Sequence, residues 1–299
     1  MALSRLGDLL DSGPHPLDGG MATELEARGH VLGDSLWSAR ILADQPEEVV
    51  AAHRAYVDAG ARVLVTASYQ VSREGFVAAG RSAGQADEAL ASSVRLAREA
   101  AAGHDVLVAA SVGPYGAILH DGSEYRGRYG VSHDRLVDFH GERLAVLVEA
   151  DPDLLAVETI PDLDEVSAIV EALAAYPGMP AWVSFSCRDG VSTCAGQPIE
   201  DAIAVAAEAP TVLAVGVNCT APEHVGSLLQ RMSAVTDLSL LAYPNAGQAY
   251  DPVTGWRGPA DTRVDLAREW AAIDGVRLLG GCCGVAPDGV ARIAATLRG

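Results

Sequence analysis

The chain has 299 residues, 49% of them hydrophobic, and a formal net charge of −19. That composition supports a substantial core, and no stretch is long enough to cross a bilayer. The acidic balance argues against nucleic acid or anionic membrane as partners and mildly favours a cationic ligand, although a solvated acidic surface is sufficient to explain it.

The first residues, 1–13, carry Asp8 and Asp11 among their leucines. They lack the basic start and unbroken apolar segment of a secretory signal, so a cytoplasmic location is expected. Further on, apolar runs alternate with amphipathic ones. Strand 16–18 is followed by helix 46–59, strand 62–68 by helix 85–102, strand 106–111 by helix 133–150, and strand 154–159 by helix 162–176. Strand 182–187 then precedes helix 198–208, strand 212–219 helix 222–235, strand 238–244 helix 261–273, and strand 276–282 helix 287–297. The strand runs are rich in Val, Leu, Ile and Ala, as expected for strands covered on both faces. Eight such pairs without a linker predict one domain over 1–299, a (β/α)8 TIM barrel, with a doubly wound sheet as the alternative.

Polar residues collect where the strands end: Asp18-Gly19-Gly20, Thr66-Ala67-Ser68-Tyr69, Glu158-Thr159, Asn218-Cys219, Tyr243-Pro244-Asn245 and Gly280-Gly281-Cys282-Cys283. In a barrel these ends share the face on which active sites are built. Two long connections, 111–132 with Tyr115, Tyr125 and Tyr129 and 244–259 with Tyr250, Asp251, Trp256 and Arg257, read as ordered loops covering a substrate.

Five cysteines, an odd number, do not suggest a disulfide framework. Cys282 and Cys283 are adjacent, so on a regular strand they would face opposite ways. Both reach one metal only if the strand stops and the backbone turns, which the flanking glycines permit. With Cys219 they would supply three thiolates, a set that holds zinc and leaves a fourth position open. Plain burial and a vicinal disulfide are the competing readings. Cys187 and Cys194 read as buried or incidental. Asp18 suits a substrate ammonium or a helix N-cap, with Gly19 and Gly20 letting a ligand approach the backbone. Glu158 closes so apolar a run that an unpartnered carboxylate there would be costly. Asn218 reads as a turn or supporting residue. Among eight histidines none has ligand spacing, and His133 and His140, seven apart on one helix, are expected to face solvent.

Taken together these motifs, with Leu17 to Gly29, Thr66 to Gln70, Asp121-Gly122-Ser123-Glu124-Tyr125-Arg126-Gly127 and Glu158-Thr159-Ile160-Pro161, resemble the homocysteine S-methyltransferase family over nearly the whole chain. Within it the chain looks most like the short enzymes that use S-methylmethionine. The resemblance implies zinc on Cys219, Cys282 and Cys283, with Asp18 and Glu158 around the amino group of L-homocysteine and Ser68 near its polar end; Asn218 completes the expected catalytic set. It implies methyl transfer to homocysteine from a sulfonium donor, S-methylmethionine or S-adenosylmethionine. Glu124 and Arg126 are then expected to meet the donor's ammonium and carboxylate, and the tyrosine-bearing loop to shelter its cation. A monomer is expected. Two other classes fit a three-cysteine rim less well: a zinc hydrolase, for which three thiolates leave the metal a poor Lewis acid, and a non-enzymatic thiol or metal sensor.

Overall fold

Each apolar run becomes a parallel strand, and the strands close on themselves. A computed structural model describes residues 2–32, 36, 38–251 and 255–298. The strands are β1 (His15–Pro16), β2 (Val63–Val65), β3 (Leu107–Val112), β4 (Leu154–Ile160), β5 (Ala181–Phe185), β6 (Val212–Asn218), β7 (Ser239–Tyr243) and β8 (Val276–Leu279). Their order is β1-β8-β7-β6-β5-β4-β3-β2. A parallel bridge from Leu17 to Val63 closes the ring, with Arg62 N–H on Pro16 O at 2.8 Å and Asp18 N–H on Val63 O at 3.2 Å. The outer helices are α1 (Pro46–Asp58), α2 (Ala83–Ala101), α3 (His133–Glu149), α4 (Leu163–Leu173), α5 (Ile199–Ala206), α6 (Pro222–Ser233), α7 (Ala267–Ala271) and α8 (Pro287–Leu297). This is a (β/α)8 TIM barrel of one domain.

Alternation along the strands sorts side chains into two layers. Leu107, Ala109, Leu154, Ala156, Trp182, Ala214, Leu241 and Leu278 fill the lumen. Their neighbours Val108, Ala110, Leu155, Val157, Val183, Val215 and Leu240 face the helices. The helix Ala2–Asp11, absent from the expected elements, adds Leu6, Leu9 and Leu10 to the lumen cluster. Those leucines plug the amino-terminal end and leave the opposite rim as the polar one. Gly216 on β6 marks how tight the wall is, since a Cβ there would lie 1.9 Å from the carbonyl oxygen of Leu241. Gly216→Ala should therefore destabilise the fold by about 1–3 kcal/mol, read as a lower midpoint in chemical denaturation. An unchanged midpoint would contradict this packing.

Several expected boundaries move. β2 stops at Val65, because residues 66–69 turn across the rim. The expected helix 261–273 is mostly loop: Arg263 adopts a left-handed φ of 45°, and a 3-10 turn, Val264–Leu266, precedes the short α7. Three further short helices, Met21–Ala27, Ser38–Asp44 and Arg73–Ala78, occupy connections expected to be irregular. The 244–259 loop contains an antiparallel hairpin, Ala249–Asp251 with Gly255–Arg257. Tyr250, Asp251, Trp256 and Arg257, expected over the substrate, have side chains outside the described set. Among the described residues no helix is long and apolar enough to cross a membrane.

Candidate active site

The end of β7 organises the cysteines. Its backbone lies between those of β6 and β8 and bonds to both. Tyr243 O accepts from Cys219 N–H at 3.3 Å, Pro244 O accepts from Cys282 N–H at 2.7 Å, and Ala246 N–H donates to Cys283 O at 2.8 Å. Cys219 takes a left-handed φ of 45°, which breaks the strand alternation immediately after lumen-facing Asn218. After β8, Gly284 has φ 82°, a turn that a side chain would resist. Through these turns the ligand atoms of Cys219, Cys282 and Cys283 all lie within 4.8 Å of one another.

Cys282 and Cys283 sulfurs are 3.9 Å apart. Two thiolates on one tetrahedral zinc stand roughly 3.8 Å apart for a 2.3 Å bond. Cys219 and Cys282 are in direct sulfur–sulfur contact as a disulfide pair, with Cα atoms 5.7 Å apart. A bond between them and a shared metal are alternative states, because each uses the same thiolate electrons. Burial, the leading cause, pushes the Cys283 thiol up to about 12, and Glu158, Glu26 and Glu124 add to the effect. Three cysteine sulfurs converging within 4.8 Å form a soft donor set with room for one tetrahedral ion. The donor set therefore fits a zinc dication. Cys187 is buried and Cys194 half-buried; neither belongs to the cluster.

Glu158 points into the lumen from β4 at the level of the cysteines. Ser111 Oγ donates to its Oε1, and Tyr243 also bonds to it. Tyr243 is held in turn by Ser184 Oγ at 2.7 Å and Trp182 Nε1 at 3.3 Å. Burial raises Glu158 to about 7 against the lowering effect of these hydrogen bonds. Asp18 is raised well above the carboxylate range, first by burial and further by Glu158, while the Val65 N–H on its Oδ2 at 2.8 Å opposes the shift. The charge of Glu158 thus reaches Asp18, and both carboxylates are buried at the rim. Gly19 and Gly20 have a packing role: a Cβ on Gly19 would strike Val285 O at 2.4 Å, and one on Gly20 would strike Cys282 O at 2.7 Å. They bring the cysteine turn against Asp18, and Gly281 N–H on Asp18 O at 3.0 Å fastens it there.

Ser68 is fully buried; it donates to Ser111 O at 2.8 Å and shares a 2.8 Å bond with Thr66. Asn218, also fully buried, clamps the end of β4. Its Oδ1 accepts from Thr159 N–H at 2.7 Å and Ser184 Oγ at 2.9 Å, and its Nδ2 donates to Thr159 Oγ1 at 2.7 Å. Thr159 has φ 62°, unusual for a β-branched residue.

The expectation that His140 faces solvent is overturned. It is fully buried, and its Nε2 lies 3.0 Å from Glu165 Oε1. Glu165 also takes Tyr115 N–H at 2.6 Å and Tyr129 OH at 2.7 Å. Tyr115 and Tyr129 therefore anchor the 111–132 loop from beneath, while Tyr125 lies within electrostatic reach of Cys283. Arg126 pairs with Asp121 at 3.1 Å and Ser123 at 2.9 Å on the exposed side of the loop. Sequence reasoning placed Tyr243 at the rim without a role, and missed Ser111, Ser184 and Arg143. The buried guanidinium of Arg143 caps Gly113 O at 2.6 Å and Tyr69 O at 2.7 Å.

Fold and rim together define a (β/α)8-barrel enzyme whose open end carries three convergent cysteines beside buried carboxylates. Residues 17–297 match the family described as homocysteine S-methyltransferase, and the chain belongs to that family. It is 44% identical over 296 residues to homocysteine S-methyltransferase YbgG of Bacillus subtilis, covering 94% of each chain. It is 44% identical over 291 residues to the homocysteine S-methyltransferase of Escherichia coli, covering 93% of this chain and 94% of that one. The crystal structure of the homocysteine methyltransferase MmuM from Escherichia coli in its metallated form superposes with a TM-score of 0.88 at 43% identity, covering 97% of this chain and 99% of that one.

Proposed function

We propose that the protein transfers a methyl group from S-methylmethionine to the sulfur of L-homocysteine, with zinc held by Cys219, Cys282 and Cys283. The convergence of three sulfurs within 4.8 Å at the barrel rim carries this reading, and a metallated relative of the same fold supports it. Zinc in that position would supply a Lewis acid that keeps the substrate sulfur deprotonated near neutral pH.

The remaining work falls to the chain. Asp18 and Glu158 bind the homocysteine ammonium, which offsets the burial that raises both groups and the Glu158 charge that raises Asp18 further. Ser111 and Tyr243 aim Glu158, Ser68 holds the Ser111 backbone, and Asn218 fixes the turn that follows Glu158. With the amino end held, the sulfur is directed at the donor methyl, and such positioning supplies several kcal/mol. The electron pair of the homocysteine sulfur forms the new S–C bond while the donor's S–C pair returns to its sulfonium. The leaving group is a neutral thioether, so no general acid is required. Both products are methionine.

Homocysteine and S-methylmethionine should yield two methionines per turnover. Asp18→Asn and Glu158→Gln should each raise the homocysteine KM at least about tenfold with zinc retained. The wild-type KM should fall as pH rises through about 7, where Glu158 ionises to meet the ammonium, and Glu158→Gln should flatten that limb. A Glu158→Gln enzyme that lost its metal and kept its KM would show a structural role instead.

A further inference from the structure

Glu124 stands in the 3-10 turn Ser123–Tyr125 of the loop over the rim. Its main chain is firmly held: Ser186 Oγ donates to Glu124 O at 3.2 Å, and Arg128 N–H to Asp162 Oδ2 at 2.7 Å. Its carboxylate accepts from its own backbone N–H. Oε2 is buried and has no hydrogen-bond partner among the described residues. An unpartnered buried carboxylate oxygen is expensive unless a ligand completes it. Its charge reaches Tyr69, Tyr125 and Cys283, each already perturbed first by burial. Glu124 thus lies within electrostatic reach of Cys283, Tyr69 and Tyr125. Arg126, two residues on, is hydrogen-bonded to Asp121 and Ser123; its charge offsets only part of the burial that raises Glu124 to about 7.

Resting on the methyl-transfer reading above, we propose that Glu124 is the counter-ion of the methyl donor, a specificity residue that accepts its cationic group beside Tyr69 and Tyr125. Asp18 and Glu158 serve homocysteine, so the two substrates would have separate carboxylates. The tyrosine rings offer the same cation a polarisable wall. The ligand class is a sulfonium or quaternary ammonium, and a neutral thioether would gain little from the site.

The test compares wild type with Glu124→Gln, which keeps shape and removes charge. The KM for S-methylmethionine should rise about tenfold, with the homocysteine KM and zinc content unchanged. Inhibition by methionine, which keeps the donor's ammonium and carboxylate and lacks only its sulfonium charge, should change little. An unchanged donor KM, or a parallel rise for both substrates, would overturn the assignment. Turnover of the wild type with S-methylmethionine separately checks the functional reading. If that is absent, betaine replaces it as the cationic donor and the same comparison decides the role of Glu124.

Discussion

Replacing Cys282 by alanine should reduce bound zinc from one equivalent to none and lower methionine formation by about a thousandfold or more. A free thiol ionises near 8.5, so at neutral pH only a few per cent is the reactive thiolate. Losing metal-assisted ionisation accounts for roughly thirtyfold of the effect by that value. Losing the fixed position of the sulfur accounts for the rest, because well-oriented reactants gain several kcal/mol. Cys219→Ala and Cys283→Ala should behave alike, since all three sulfurs share one cluster. Cys187→Ala and Cys194→Ala should retain zinc. Samples must be reduced before loading, because Cys219 and Cys282 can pair with each other. Full zinc occupancy with normal turnover in Cys282→Ala would remove the thiolate site from the mechanism.

The barrel was legible because apolar runs and amphipathic runs alternate eight times. The cysteine motif was legible for a different reason: Cys282 and Cys283 side by side, framed by glycines, have few structural uses. Asp18 and Glu158 stood out as acids ending apolar strands. The groups that seat Glu158 did not. Ser111, Ser184 and Tyr243 occupy ordinary alternating positions, and their importance depends on which strand lies across the lumen. Residues 43 to 59 positions apart meet there through closure alone, as Ser68 with Ser111 and Ser184 with Tyr243.

Local periodicity also concealed the buried polar network. His140 lies on the same helical face as Leu136, Arg143, Leu144 and Leu147, all buried. Spacing from exposed His133 pointed outward, whereas the i and i+4 leucines pointed inward. What keeps His140 and Arg143 buried is supplied from elsewhere: Glu165 on α4 for the histidine, and carbonyls after β2 and β3 for the arginine. Such pairs cannot be inferred from one helix. They hold the loop that carries Glu124 and Tyr125, so a buried network beneath the rim sets the shape of the rim.

S-methylmethionine should be used at least about a hundredfold more efficiently than betaine, a difference of about 2.7 kcal/mol in transition-state stabilisation. Leaving-group chemistry is the first reason. Methyl transfer from a sulfonium releases a thioether, a far weaker base than the tertiary amine released from a quaternary ammonium. Electrostatics is the second. Betaine places a carboxylate beside its cationic methyl group. In the space around Cys283 that carboxylate would meet Glu124 and Glu158, both of which weigh on the thiol. Arg126, the cation nearest in the loop, is taken by Asp121 and Ser123. S-methylmethionine carries a carboxylate too, but its backbone separates that group from the sulfonium by several bonds and adds an ammonium. Initial rates of methionine formation at saturating homocysteine, with each donor varied in turn, measure the ratio. Comparable kcat/KM values would reassign the donor and leave the three-cysteine site as the place where the sulfur is activated.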